Sequence, residues 1–190
     1  MNRLPRLALF VAACTLPLLA CAREAEGPAN DAKGKLAHNE AADPAQDFNL
    51  AGSNGAALGK VSISEDSRGI SLAFDARGMP AGMHGVHLHE KGLCEGPKFE
   101  SAGGHWNPAS KEHGRDNPAG AHLGDLANLE VGTNGEAILN TTVAGVSGRM
   151  MLADADGTAL VVHAKPDDYK TDPSGGSGDR IACAVIAPAR

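Results

Sequence analysis

The amino-acid sequence predicts an all-β protein, built as a β-sandwich or a β-barrel. Its composition favours turns, because 24 of the 190 residues are Gly and 11 are Pro, while aromatic side chains make up only 3%. From residue 46 onward, short runs of alternating or β-branched residues lie between clusters of Gly, Asn and Asp. No stretch of this part repeats its apolar residues at the period of a long amphipathic helix. These observations indicate many short strands joined by turns.

Seven segments have the pattern of β-strands. Tight turns between strands are indicated by Asn54-Gly55, Asn134-Gly135 and Asp156-Gly157, which suit the positive φ angles of short hairpins. Two further segments, 90–125 and 164–179, are rich in Gly, Pro and Asp and too long for simple connections, so their length predicts functional or disordered loops. The predicted strands are residues 59–65, 69–76, 85–89, 126–131, 137–143, 160–163 and 180–187.

The first twenty residues have the pattern of an export signal. Arg3 and Arg6 precede an uncharged apolar stretch at 7–20, which is short for a membrane span. The stretch ends in Leu18-Leu19-Ala20-Cys21, which resembles the lipobox of bacterial lipoproteins, in which the cysteine becomes lipidated. An ordinary secretory signal that is cut nearby is the alternative. Ala22 follows the cysteine instead of Asp, which is compatible with sorting to the outer membrane.

The chain thus divides into three predicted parts. Residues 1–20 are the signal peptide, residues 21–45 are a flexible tether, and residues 46–190 are the folded domain. The tether is predicted because Leu36 is its only large aliphatic side chain, and such a segment cannot bury a core.

The net charge argues against some partners. It is −6 overall, and it becomes −8 without residues 1–20, which hold two arginines and no acid. So acidic a chain is a poor candidate for binding nucleic acid. An anionic substrate would need a local positive patch, for which Lys91, Lys98, Lys165 and Lys170 are candidates.

Six of the eight histidines lie between positions 84 and 122. His87 and His89 are two residues apart in a predicted strand, so their side chains share one face and form a ready pair of ligands. His84 would lie on the core side, with its ring hydrogen-bonded to the backbone. Further along the chain lie His105, His113, His122 and Asp125, and three imidazoles and one carboxylate can fill a tetrahedral zinc shell. The cluster does not by itself determine the metal, and incidental surface histidines are the alternative.

Six short motifs in this order resemble those of copper/zinc superoxide dismutases. The resemblance spans about residues 57 to 187, and the first strand, near residues 48–50, is its least distinct part. The short segment 174–179 before Arg180 is more similar to the bacterial periplasmic branch of the family. The motifs are Gly85-Val86-His87-Leu88-His89-Glu90, Gly104-His105-Trp106-Asn107-Pro108, His113-Gly114, His122-Leu123-Gly124-Asp125-Leu126, Leu160-Val161-Val162-His163 and Gly178-Asp179-Arg180-Ile181-Ala182-Cys183.

The resemblance implies a Greek-key β-barrel or sandwich of about eight antiparallel strands with two long functional loops. It also implies one redox-cycling copper, Cu(II)/Cu(I), and one structural zinc, Zn(II), in each subunit. The copper ligands would be His87, His89, His105 and His163. The zinc ligands would be His105, His113, His122 and Asp125, so His105 would bridge the two ions.

The resemblance implies further roles around these ligands. Asp167 would join a copper-ligand histidine to a zinc-ligand histidine through hydrogen bonds, and Arg180 would lie beside the open copper position. Cys94 and Cys183 would form the intrasubunit disulfide. The cysteine count agrees, because Cys14 would leave with the signal and Cys21 would carry lipid.

The function implied is the dismutation of superoxide to dioxygen and hydrogen peroxide, with Arg180 and His105 as the catalytic side chains. Such a protein would be exported to the periplasm as a monomer or homodimer, contact the membrane only through its lipid, and protect the cell envelope from superoxide. A copper/zinc buffer without turnover is one alternative, although it would need no cation beside copper. A β-sandwich with a merely structural zinc is another, in which His87, His89 and His163 would be surplus.

Overall fold

The computed structural model describes residues 43–67 and 69–190. The predicted signal peptide, the lipidation candidate Cys21 and the predicted tether up to residue 42 lie outside these residues. The last three residues assigned to the tether, 43–45, belong instead to a β-strand that begins at Asp43. Within the described part of the chain, no helix has the length and apolar character needed to cross a membrane.

Nine β-strands and two short 3-10 helices form within residues 43–67 and 69–190. The 3-10 helices are Glu100–Ala102 and Arg149–Met151. The strands are β1 (Asp43–Gly52), β2 (Ala57–Asp66), β3 (Gly69–Ala76), β4 (Gly82–His84), β5 (Val86–His89), β6 (Leu129–Val131), β7 (Ala137–Val143), β8 (Thr158–His163) and β9 (Arg180–Ala187).

All strand pairs are antiparallel. Seven strands form one sheet in the order β5-β8-β9-β1-β2-β3-β7, and β4 pairs with β6 in a second sheet. Three neighbouring pairs of the large sheet, β5 with β8, β9 with β1 and β3 with β7, are distant along the chain. These pairings leave the two long predicted loops at one region of the domain, beside β5 and β8. The predicted all-β antiparallel class is confirmed.

The sequence pattern predicts seven of the nine strands in the described residues and misses β1 and β4. Strands β3, β7 and β9 have the predicted bounds. The resemblance makes the first strand, near residues 48–50, its least distinct part. In the structure the residues of β1 alternate poorly, and only Leu50 among its large side chains is fully buried. It forms because β2 and β9 pair with its two edges. The predicted strand at 126–131 is shorter, since only Leu129–Val131 pairs with β4.

The main core lies between the inner faces of the sheets. Val86 and Leu88 of β5 are fully buried in it, together with Leu160 and Val162 of β8. Each such side chain contributes about 1.5–3 kcal/mol on burial. Because side chains alternate along a strand, this burial leaves His87 and His89 on the opposite face of β5, as the sequence predicts.

A second, smaller cluster attaches the first long loop to the outer face of β8 and β9. Phe99 and Ala102 of the loop pack there against Ala159, Val161 and Cys183. The cluster holds the loop carbonyl groups near the start of β9, at Arg180.

Candidate metal centre

Backbone pairing brings the histidines together around β5. His163, at the end of β8, donates its backbone N–H to the Gly85 carbonyl over 2.8 Å. Isolated bridges pair His89 with His105 and His87 with Asp125. The two bridges thus hold two separate parts of the 90–125 loop, at His105 and at Asp125, against β5.

Four histidines form what we call the first group, namely His87, His89, His105 and His163. Their donor nitrogens all lie within 4.8 Å of one another. The nitrogens that face each other are Nδ1 of His87 and Nε2 of the other three, and each is buried without a hydrogen-bond partner among the described residues. The four residues are those that the resemblance assigns to copper.

The remaining ring nitrogens of three of these histidines are held by acceptors. His87 donates from Nε2 to Asp167 Oδ2 over 2.9 Å. His89 donates from Nδ1 to the Gly103 carbonyl over 3.0 Å, and His163 donates from Nδ1 to the Gly178 carbonyl over 3.1 Å. These bonds orient each ring so that its other nitrogen points into the first group.

The second group consists of His105, His113, His122 and Asp125. The Nδ1 atoms of all three histidines lie 3.1 Å from the same oxygen, Asp125 Oδ1. A tetrahedral zinc shell with bonds of about 2.0 Å has ligand-to-ligand edges of about 3.3 Å, so these spacings suit one. The other oxygen, Asp125 Oδ2, accepts the backbone N–H groups of Gly114 and His122, which orients the carboxylate.

His87 also comes close to this second group. Its donor atom lies within 4.8 Å of those of His105, His113 and Asp125. We assign His122 to the second group because its Nδ1 is 3.1 Å from Asp125 Oδ1 and 3.4 Å from His105 Nδ1. His87 instead has one nitrogen bonded to Asp167 and the other in the first group.

His105 belongs to both groups through its two nitrogens. Nδ1 lies beside Asp125 in the second group, whereas Nε2 faces the first group. Its ring stacks on that of His87, with centroids 3.9 Å apart. One imidazole therefore spans the two groups.

Asp167 contacts one histidine of each group. Its Oδ2 accepts the hydrogen bond from His87, and its Oδ1 accepts one from His113 Nε2 over 3.0 Å. The residue is buried. Burial raises the pKa of Asp167, but the hydrogen bonds from His113 and His87 outweigh it and hold the pKa well below its usual range. The carboxylate is therefore ionised and links one histidine of each group.

The electrostatics differ between the two groups. Burial lowers the pKa of His89 to about 2, of His163 to about 3 and of His105 to about 4. These imidazoles are neutral near pH 7 and offer lone pairs. Burial also lowers the pKa of His113, but the carboxylates of Asp125 and Asp167 outweigh it and raise the pKa to about 9. Asp125 and Asp167 thus favour a positive charge at His113, whereas His105 of the same group is neutral.

These residues fit metal ions. Five buried imidazole nitrogens lack hydrogen-bond partners among the described residues, and each such atom would cost about 1–3 kcal/mol if nothing bound it. Imidazole suits both copper and zinc, and a shell of three imidazoles and one carboxylate is typical of zinc. The five atoms belong to His87, His89, His105, His113 and His163.

Arg180 lies next to the first group. Its two terminal nitrogens donate to the carbonyls of Phe99 and Gly103, each over 2.6 Å. The Gly103 carbonyl also accepts the hydrogen bond from His89, so one backbone group positions both side chains. Burial lowers the pKa of Arg180, yet arginine stays charged in proteins.

A cavity of about 590 Å³ opens beside this arginine. Arg180 and Lys98 line it with positive charge, and Glu100 and Asp179 line it with negative charge. Lys98 Nζ is 3.8 Å from Glu100 Oε1. Of the four lysines considered from the sequence, Lys98 is the one among the lining residues of this cavity.

Two further predictions are confirmed. Cys94 and Cys183 form a disulfide, with their Cα atoms 5.7 Å apart. His84 is 3% exposed, and its ring nitrogens lie 2.7 Å from the His163 carbonyl and 2.9 Å from the Pro80 carbonyl. It is therefore a structural histidine.

Sequence reasoning missed several groups that hold the site. The carbonyls of Phe99, Gly103 and Gly178 orient Arg180, His89 and His163, but a backbone carbonyl has no signature in a sequence. Asn128 was also missed. Its side-chain amide bonds to both the N–H and the C=O of Asp167, over 2.8 and 3.0 Å, and only its place three residues after Asp125 could have drawn attention to it.

The sequence matches known proteins over most of its length. The family model for copper/zinc superoxide dismutase (SODC) matches residues 57–186. The superoxide dismutase-like protein YojM of Bacillus subtilis is 43% identical over 143 residues, which are 72% of this chain and 73% of that protein. A Cu-Zn superoxide dismutase of Aquifex aeolicus is 42% identical over 142 residues, which are 72% of this chain and 83% of that protein.

Solved structures agree with the sequence matches. A double mutant of a SOD-like protein from Bacillus subtilis superposes with a TM-score of 0.70 at 41% identity, over 74% of this chain and 96% of that one. Its similarity supports the Greek-key β-barrel or sandwich implied by the motifs. Family model, relatives, fold and histidine geometry agree, and the chain belongs to the copper/zinc superoxide dismutase family.

Proposed function

We propose that this chain dismutates superoxide with copper held by the first group and zinc held by the second group. The observation that carries the proposal is the position of His105, whose two nitrogens face different groups, beside a positively charged arginine. The copper would be held by Nδ1 of His87 and Nε2 of His89, His105 and His163. The zinc would be held by Nδ1 of His105, His113 and His122 and by Asp125 Oδ1.

When bound, copper supplies the redox change, by which one superoxide is oxidised to dioxygen and a second is reduced, with two protons, to hydrogen peroxide. Arg180 attracts the anion and orients it through the parallel N–H groups of its guanidinium. His105 can hold a proton at Nε2 and give it up for peroxide formation, while its Nδ1 stays beside Asp125. The other residues of the second group keep that ring in place.

The cavity beside Arg180 has room for a small anion, but Glu100 and Asp179 match the positive charges of Arg180 and Lys98 in its lining. From residue 46 onward the chain has 12 basic and 18 acidic residues, a net charge of −6. Local attraction by Arg180 and Lys98 must therefore overcome an unfavourable background. Focused potentials of this kind can raise encounter rates about 10- to 1000-fold.

The direct test measures metal content and superoxide dismutation on the same purified sample. We expect one copper and one zinc per chain and activity that rises with copper content. Protein that holds both metals but does not turn over superoxide would instead support a metal buffer.

Replacing Asp167 with Asn should weaken binding of both metals about 10- to 100-fold, because an amide cannot accept hydrogen bonds at both of its terminal atoms. Competition titrations of the apoprotein with chelators give the two affinities. Asp156→Asn is the matched control, because it removes the same charge from an exposed residue outside both groups and both long loops. Wild-type affinities in Asp167→Asn would show that the carboxylate has no part in metal retention.

We further propose that the protein is exported to the periplasm, anchored to the outer membrane by lipid on Cys21, and protects the cell envelope. The lipobox-like segment 18–21, followed by a tether of polar and small residues, supports this. Cys21→Ser should then shift the protein from the membrane fraction to the soluble fraction or block its processing. Wild-type protein found wholly in the soluble fraction would contradict the anchor.

A further inference from the structure

Tyr169, the one tyrosine of the chain, contacts three separate stretches of the site. The guanidinium carbon of Arg115 lies 3.7 Å from the centre of its ring. Its hydroxyl oxygen accepts the backbone N–H of Asn128 over 2.9 Å. Its own backbone N–H donates to Asp167 Oδ1 over 2.7 Å. No metal ligand is among these groups, yet each lies within three residues of one or contacts one.

The backbone of Tyr169 is in the left-handed region, with φ at 62°. A bulky side chain disfavours that region, and such outliers persist where surrounding contacts hold them. Here the conformation allows the N–H of Tyr169 to meet Asp167 while its carbonyl accepts the N–H of Asp116 over 3.0 Å. The strain is therefore maintained by contacts to both long loops.

The two loops meet along a seam formed by segments 113–116 and 167–172. Besides the Arg115 and Asp116 contacts, the seam contains the hydrogen bond from the His113 N–H to Asp172 Oδ1, over 2.7 Å. The chains approach closely, because a Cβ on Gly114 would lie 2.2 Å from the Tyr169 carbonyl oxygen. His113, a ligand of the proposed zinc site, begins the first of these segments.

Asn128 links the hydroxyl of Tyr169 to the backbone of Asp167. Its side chain bonds to the backbone N–H and C=O of Asp167, and its own N–H bonds to the Tyr169 hydroxyl. Asp167 is thus held at its backbone by the Asn128 side chain and at its carboxylate by the backbone N–H of Tyr169, a bond that substitutions at 169 keep. The tyrosine side chain itself acts on Asp167 through Asn128. The same carboxylate accepts hydrogen bonds from His87 and His113.

We propose that Tyr169, with Arg115 on its ring, is a positioning residue for Asp167 and thereby slows the loss of zinc and copper. The inference rests on the proposed metal ligands. Through Arg115 the tyrosine holds the segment that follows His113, and through Asn128 and Asp167 it acts on a histidine of each group. A contact that only stiffened the loop around His113 would affect zinc alone.

The test measures release of each metal to an excess of chelator, from full-length protein loaded with zinc alone and with both metals. Tyr169→Ala should speed zinc release about 10-fold, at the lower end of the range for groups that orient ligands, and should also speed copper release. Arg115→Gln should speed zinc release about 2- to 5-fold, as expected for an exposed cation–π contact, and Arg115→Lys should restore most of the loss.

Two comparisons separate positioning from general loosening. The double variant Tyr169→Ala/Arg115→Gln should release zinc no faster than Tyr169→Ala alone, because the arginine acts through the ring. Arg77→Gln is the matched control, since Arg77 is exposed, pairs with Asp75 and does not contact the seam; it should behave as wild type. Tyr169→Phe keeps the ring under Arg115 and provides a milder variant that should fold.

The outcomes are distinct. Wild-type release rates in both Tyr169→Ala and Tyr169→Phe would overturn this inference but not the proposed function. Faster zinc release with unchanged copper release in Tyr169→Ala would do the same. Fully additive effects of Arg115→Gln and Tyr169→Ala would overturn the role of the pair. Wild-type protein that takes up no zinc would overturn the ligand assignment as well.

Discussion

Replacing Arg180 with Glu should lower the rate of superoxide dismutation about 10- to 1000-fold while both metals stay bound. The change places a negative charge beside the first group, where the native guanidinium attracts the anion. It also removes two donors from the Phe99 and Gly103 carbonyls. Arg180 itself donates no electron pair to either group, so metal content should be kept.

Matched variants separate charge from shape. Arg180→Lys should lose less activity, because it keeps the charge but loses the planar fork. Arg77→Glu makes the same change of charge at an exposed residue outside the cavity and should leave activity near wild type. Added salt should slow wild type more than Arg180→Ala, since screening weakens steering. Full activity in metal-loaded Arg180→Glu would remove the main reason to prefer a dismutase over a metal buffer.

Loss of the Cys94–Cys183 disulfide should lower the free energy of unfolding by roughly 4 to 5 kcal/mol in the chain-entropy model. The two cysteines are 89 positions apart, so the bond restricts a large part of the unfolded chain. For a domain of this size the loss corresponds to a fall in Tm of roughly 10 to 20 °C. The loop that carries Phe99 and Gly103 should loosen first, because the bond attaches it to β9.

Thermal melts of wild type with and without reductant, at fixed metal content, measure this effect. The variant Cys94→Ser/Cys183→Ala is the control, because reductant should not change its Tm. Alanine is used at 183 since that side chain is 1% exposed and packs in an apolar cluster. An unchanged wild-type Tm under reductant, or free thiols at both positions before reduction, would contradict the prediction.

The strands were predictable where the information is local. Alternation of apolar residues between turn signals predicts the bounds of β3, β7 and β9, because such a pattern buries one face of a sheet whichever strand lies beside it. Strand β1 has little of this pattern and depends on two partners, and β4 consists of three residues that pair with β6. The residues of one strand do not indicate which distant segment it pairs with.

The candidate site shows the same division. Alternation predicts that His87 and His89 share a face, and residue types alone indicate a zinc shell in the 90–125 loop. The copper ligands and the bridging role of His105 came from the resemblance to a family. The resemblance named Asp167 as the link between the groups, and the structure places its two oxygens 2.9 and 3.0 Å from His87 and His113. Neither Asn128 nor Tyr169 belongs to one of the six motifs, so their contacts with Asp167 could not be anticipated.

The sequence by itself determined the all-β class, most of the strands, the excess of negative charge and the family of the metal site. These follow from residue types and short spacings, which are properties of neighbouring residues. Only the tertiary structure decided which nitrogen of each histidine faces which group, and which carbonyls orient Arg180 and His89. The physical reason is that a ring's lone pair points away from its hydrogen-bond partner, and that partner lies as far as 80 residues away, as Asp167 does from His87.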